Sequence, residues 1–244
     1  MHERFSLSYW AVLTIAIAFI VCSVVLGGAI RNIKRTSDTI TVTGSAKRGI
    51  RSDYIIWRGS INAQKSELQE AYREVNLYGN RVRTYLRDHH IPDSSITFSS
   101  IETEPIKEFV ANVQPTGQIL AYNLTQRFEV RSNQVDSIAA LSRQATELID
   151  EGIQLTSYPP EYLFTRLGDL RMEMLSEATK DARKRAETIA EAAGSRVGPV
   201  RTARMGVFQI TQRYSTEVSD YGINDTWSLE KDITAVVSLS FALK

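Results

Sequence analysis

Between Trp10 and Ile30 the chain reads WAVLTIAIAFIVCSVVLGGAI, a run without one charge. A helix that crosses a hydrocarbon layer of roughly 30 Å needs about twenty such residues, so whatever follows is expected to hang from a membrane. Tyr9 and Trp10 stand where an interfacial aromatic belt lies, and Arg31, Lys34 and Arg35 supply polar anchors at the far end. The run has no polar face, which argues against a buried core helix. Gly27 and Ala29 would suit a signal peptidase, yet the run exceeds the apolar region of about 7–15 residues usual in a cleaved signal, so it reads as an uncleaved signal anchor. The chain thus divides into a stub over 1–9, a transmembrane anchor over 10–30 that contacts lipid, a polar linker over 31–38 and one domain over 39–244.

That remainder is long enough for a sizeable core. A net charge of +1, with both signs interspersed, gives no general attraction to nucleic acid or to anionic surfaces. The one cysteine, Cys22, lies inside the apolar run, so the domain has no disulfide and no thiol chemistry. A cysteine-free domain fits an extracytoplasmic compartment without proving it. Charge counting on its own points weakly the other way, because Arg4 precedes the anchor while three basic residues follow it, and basic residues favour the cytoplasmic side.

In TITVTGSAKRG and SDYIIWRGSINAQ apolar residues recur at every second position, through Ile40 and Val42, then Ile55, Trp57, Ile61 and Ala63. This predicts two strands forming a hairpin joined near Gly49 to Asp53. Ser66 opens a capping-box pattern before a long helix whose face carries Leu68, Ala71, Tyr72, Val75, Val82, Tyr85 and Leu86 and which ends before Pro92. Two strands follow in ITFSSIETEPI and QILAYNLTQRFEVRS, the second alternating Leu120, Tyr122, Leu124, Phe128 and Val130 with Thr125, Arg127, Glu129 and Arg131. Asn133 is placed to cap a second helix with Val135, Ile138, Ala145, Leu148 and Ile149 on its stripe, closed by Gly152. A strand over 153–158 precedes Pro159 and Pro160, and a third helix runs from about Leu167 to Ala193, with Ala178, Ala182, Ala186 and Ala190 in line before Gly194. The last strands are ARMGVFQITQRY and DITAVVSLSFALK, and the latter is so regular that in a monomer it should be central or covered, whereas in an oligomer it or the neighbouring loop would carry the contact. The order ββαββαβαββ is α+β, with a ferredoxin-like βαββαβ middle and helices on one face of a mixed or antiparallel sheet.

Chemistry is sparse. His89 and His90 point about 100° apart on a helix and suit its C-terminus better than a metal. No zincin, phosphate-loop, nucleophile-elbow or dinucleotide motif occurs, so no catalytic, cofactor-binding or metal-binding residue is assigned and an enzyme is not expected. The basic run Lys180 to Arg185 falls on the outer face of the alanine-striped helix, so nucleic-acid binding is not expected either. The aromatics say more. Tyr214, Tyr221 and Trp227 lie in or beside a polar loop over 215–231, where such residues are either pinned to their own domain or used against a partner. The PPEY segment, with Pro159, Pro160 and Tyr162, is either a rigid connector or a docking ledge.

Together, ITVTGSAKR, the turn and strand HHIPDSSITFSSIETEP, the strand ILAYNLTQRFEVRS and the helix EATKDARKRAETIAEAAGSRVGPV resemble, in this order, the SIMPL-domain family of bacterial envelope proteins, which includes periplasmic immunogenic antigens. Ala46 and His90 stand where that family often has glycine, and the permanent anchor is a further departure from it. The resemblance implies a domain outside the cytoplasm, no known catalytic residues, large ring- or channel-like homo-oligomers, and an association with envelope and oxidative-stress tolerance. On this basis the chain is expected in the inner membrane, single-pass, with a periplasmic domain. The leading expectation is a self-assembling envelope protein. The alternative is a binding module that presents loop 215–231 to a ligand or another membrane protein.

Overall fold

The computed structural model describes residues 12–25, 38–110 and 114–244. The stub, most of the linker and both ends of the expected anchor lie outside the described residues. Helix α1 covers 12–25, and every residue in it is exposed. Among the described residues no helix is long and apolar enough to cross a membrane.

The rest is a mixed α+β structure with two sheets where the sequence led to one. It contains β1 (Thr39–Arg51), β2 (Tyr54–Lys65), α2 (Leu68–Asp88), β3 (Ile96–Phe98), β4 (Glu102–Val110), β5 (Gln114–Ser132), α3 (Val135–Gln144) and α4 (Glu147–Asp150). Then come β6 (Gln154–Ser157), β7 (Glu161–Leu163), α5 (Leu167–Ala192), β8 (Val197–Met205), β9 (Gln209–Gln212), β10 (Ile223–Asn224) and β11 (Glu230–Leu243). The chain, which reads as one domain, divides into two compact units, Met1–Lys47 with Arg171–Phe208 and Thr234–Lys244, and Arg48–Leu170 with Gln209–Ile233.

In the first unit β11 pairs with β1 and, antiparallel, with β8. Its Ala235, Val237, Leu239 and Phe241 are buried, so the regular final strand is central, as its bare backbone requires. The alanine line of α5 is the reason that helix lies so close: Ala178, Ala182 and Ala186 are fully buried and Ala190 nearly so. They meet β1 at Gly44, where an added Cβ would fall 2.2 Å from the Ala178 carbonyl oxygen and 2.3 Å from the Ala182 nitrogen. Beside this contact the Ser45 amide donates to Asp181 Oδ2 at 2.9 Å. That bond, reinforced by Arg185, holds the Asp181 carboxyl below its ordinary pKa.

In the second unit the strands run β3-β5-β2-β6, all antiparallel, with β4 added along β5 and β7 along β2. Helices α2 and α3 pack on the face carrying Ile55, Trp57, Ile61, Leu124, Phe128 and Val130. Trp57 meets Phe128 edge to face, centroids 5.3 Å apart, and its Nε1 donates to Ser157 Oγ at 3.0 Å. Alternation along β2 and β5 sends Arg58, Arg127, Glu129 and Arg131 to the opposite face.

Several local expectations are corrected. β1 and β2 form no hairpin; they belong to different sheets. A tight hairpin turn requires positive φ, which Gly49 lacks, and the amides of Ser52 and Asp53 donate to Leu229 and Leu163 instead of across the corner. The α2 N-cap is Glu67 with no side-chain cap, so the Ser66 capping box does not form, while Leu68 and Tyr72 are exposed. Gln134, not Asn133, occupies the N-cap position of α3 and makes no side-chain cap, and Ser132 Oγ accepts the Gln134 amide. The second helix breaks into α3 and α4, which leaves Ile149 exposed. Gly152 and Gly194 do close their helices with positive φ, as expected of glycine there.

Candidate functional site

The face of the second sheet turned away from α2 and α3 carries a cleft of about 580 Å³. Its floor comes from neighbouring strands, because β2 and β5 pair in a register that sets Arg58 directly opposite Glu129, with Thr97 of β3 opposite Glu129 in turn. Arg58 is the hub: Nε donates to Glu129 Oε2 at 2.7 Å and Nη1 to Glu161 Oε1 at 2.5 Å. Arg131 reaches the other oxygen of Glu129, and Arg127 pairs with Glu102. The walls are Tyr158, Pro159 and Trp227. Tyr158 is held by its amide on the Arg58 carbonyl at 3.0 Å and by a 3.3 Å contact between its hydroxyl and that of Ser60.

Trp227 comes to this cleft because its loop is pinned. Asp225 Oδ1 accepts the amides of Trp227 at 2.8 Å and Ser228 at 3.2 Å, and the Tyr162 amide donates to the Thr226 carbonyl at 2.7 Å. Lys231, only 2% exposed, then donates from Nζ to the carbonyls of Tyr162 at 2.6 Å and Asp225 at 2.5 Å. Burial pushes the Lys231 ammonium below its ordinary pKa, opposed by the nearby Asp225 charge. Burial would raise Asp225, but the hydrogen bonds of Ser228 and Trp227 outweigh it and hold the carboxyl below its usual range.

Of the six residues singled out in the sequence, the structure gathers Trp227 and Pro159 on one cleft and ties Tyr162 to the same loop by its backbone. Pro160 is half-buried beside them. Tyr214 and Tyr221 do not line the cleft; they are 81% and 97% exposed, and Tyr214 adopts a left-handed φ of 65°. Sequence reading missed Arg58, Tyr158, Glu161 and Lys231. The alternation of Ile55, Trp57, Ile61 and Ala63, which leaves Arg58 on the other face, was the available signal; nothing local marks Lys231 as buried.

Burial favours the neutral form of Glu129, but hydrogen bonds from Arg58 and Arg131 bring its pKa below the ordinary 4.5. A carboxyl so held stays ionised at neutral pH and is ill suited to donating a proton. Its depressed pKa contributes stability that is complete above pH 4.5 and is lost as pH falls through the folded value. Glu129→Gln should therefore lower the unfolding free energy from urea titration at neutral pH by about 1 kcal/mol or less for partners this exposed, and flatten the loss of stability below about pH 4.5. An unchanged acid profile would remove Glu129 from the ion-pair cluster. Among the described residues no three His, Cys, Asp or Glu side chains are gathered to hold a metal ion. His89 sits at the C-cap of α2 with Nδ1 on the Tyr85 carbonyl at 2.8 Å.

No curated protein matches the chain at a significant level. The family model described as SIMPL, protein of unknown function (DUF541), matches residues 40–241, nearly the whole of the chain beyond the apolar run, and the chain belongs to that family.

Proposed function

We propose that this SIMPL protein is a non-enzymatic, membrane-anchored envelope protein: residues 10–30 span the inner membrane once, the domain from 39 onward stands in the periplasm, and protomers assemble into a ring, cage or channel that supports envelope or oxidative-stress tolerance. The observation that carries this reading is α1. Large apolar side chains all round it, including Val12, Ile15, Ile17, Phe19 and Val21, are each more than half exposed, and a helix apolar on every side is at home only in lipid or among other helices. Anchoring in a plane raises local concentration, so modest contacts suffice for assembly, and Tyr214 and Tyr221 offer large exposed aromatics for them. The middle of the chain, from β2 to β6, is read as a ferredoxin-like unit, with α2 and α3 on one face and the cleft on the other.

Native mass measurement of the full chain in mild detergent should give a particle several protomers in size, and Tyr221→Ser with Trp227→Ser should reduce it while leaving circular dichroism intact. A clean monomer from the unsubstituted chain at micromolar concentration would overturn assembly. A reporter active only in the periplasm, fused after Lys244, should work; activity of a cytoplasm-only reporter there would reverse the orientation.

A second reading is favoured by the placement of Trp227: the loop over 215–231 is part of a binding module, presenting that ring to a ligand seated on the sheet.

A further inference from the structure

We propose that the cleft on the open face of the second sheet binds a neutral oligosaccharide, its sugar rings stacked on Trp227 and Tyr158 and its hydroxyls bonded by Arg58, Glu129 and Glu161. This deepens, and rests on, the reading of the 215–231 loop as a binding element. Four observations carry it. The cleft, about 580 Å³, is of the size that takes a small ligand. Two large aromatic side chains remain exposed at its wall, Trp227 at 64% and Tyr158 at 45%, although hydrogen bonds fix the backbone of each. Their backbones are held in place and their rings are left open. The negative π-face of each attracts the polarised C–H bonds of a pyranose face.

The floor decides the class of ligand. Its ionised side chains cancel, Arg58 and Arg127 against Glu129 and Glu161, so the field does not select a phosphate, a nucleic acid or an acidic glycan. It is also no surface for a lipid chain, which would leave these charges without solvent. An extended peptide gains most from backbone hydrogen bonds at a sheet edge, and this cleft lies on a face. Vicinal hydroxyls are what suit it. A guanidinium offers five donors in a fixed plane, of which Arg58 uses one at Nε and one at Nη1 for its carboxylates. Each carboxylate keeps lone pairs to accept from a hydroxyl. The carboxylates orient Arg58 before a ligand arrives, so little ordering is needed on binding.

The test uses the full chain in a detergent without a sugar headgroup, titrated with chitotetraose and with maltotetraose by isothermal titration calorimetry, which does not depend on the ring that the variants remove. A saturable change is expected with at least one of them. Trp227→Ala and Tyr158→Ala should each weaken it about tenfold, whereas Trp227→Phe, which keeps a stacking face, should stay within about threefold. Circular dichroism of each variant checks folding. Binding that survives both alanine substitutions overturns the proposal, because the sugar then sits elsewhere. A sulfated tetrasaccharide bound more tightly than the neutral ones overturns the neutral class. If neither neutral sugar binds, a photocrosslinker at position 227 separates two failures: crosslinking to a membrane protein retains the binding loop and discards the saccharide, and the absence of any crosslink discards both.

Discussion

Gly44→Ala should lower the stability of the folded chain by about 3 kcal/mol or more, at the upper end of what overpacking costs, although it adds only one methyl group. The contact is unusual in kind. The added Cβ would overlap the Ala178 carbonyl oxygen and the Ala182 nitrogen, which are main-chain atoms of α5, as well as the Ala182 methyl. A crowded side chain can rotate away; a helix backbone has to move as a body and would draw Ala186 and Ala190 off their buried seats with it. Trimming the neighbour should therefore not restore stability: Ala182→Gly in the Gly44→Ala background removes the methyl and leaves both backbone overlaps. Chemical denaturation of Gly44→Ala, of Ala182→Gly alone and of the double variant checks this. Full recovery in the double variant would show that the side chain, not the helix backbone, sets the spacing of α5 from β1.

That spacing was half legible in the sequence. The fourfold alanine repeat and Gly194 located α5 and its buried line correctly, because a helix declares its face within a few turns. What the line faces was hidden, since Gly44 lies far up the chain and a lone glycine in a strand has several meanings. The same division explains the other outcomes. Strict alternation placed β11, and it sorted Arg127 and Glu129 from Phe128 and Val130, but alternation says nothing about partners, so β1 and β2 read as a hairpin when their connection feeds two sheets. The candidate cleft was still less visible. Tyr158, Trp227 and Arg58 are brought together by cross-strand register and by a loop folded back onto β7, neither of which leaves a local pattern.

The loop in turn depends on Lys231, and Lys231→Met should cost about 3–5 kcal/mol, the range for breaking a buried charge from its partners. Methionine preserves most of the stem, so the loss is electrostatic and polar. The carbonyls of Tyr162 and Asp225 lose their shared donor, and the Asp225 carboxylate, whose Oδ2 is buried with no hydrogen-bond partner, loses its nearby positive charge. The direction is not self-evident, because burial already disfavours the Lys231 ammonium, and an apolar residue avoids that penalty. What tips the balance is the carboxylate left behind. Asp225→Asn keeps an oxygen to accept the amides of Trp227 and Ser228 while removing the charge, so alone it should cost less than Lys231→Met, and the double variant should be more stable than Lys231→Met by about 1 kcal/mol or more. Stability from urea titration closes this cycle, and tryptophan fluorescence reads the loop separately, since the exposed ring of Trp227 should become more mobile in Lys231→Met and recover in the double variant. Strict additivity of the two substitutions would mean that Asp225 and Lys231 do not sense each other, and that the backbone bonds at Tyr162 alone hold the loop over the sheet.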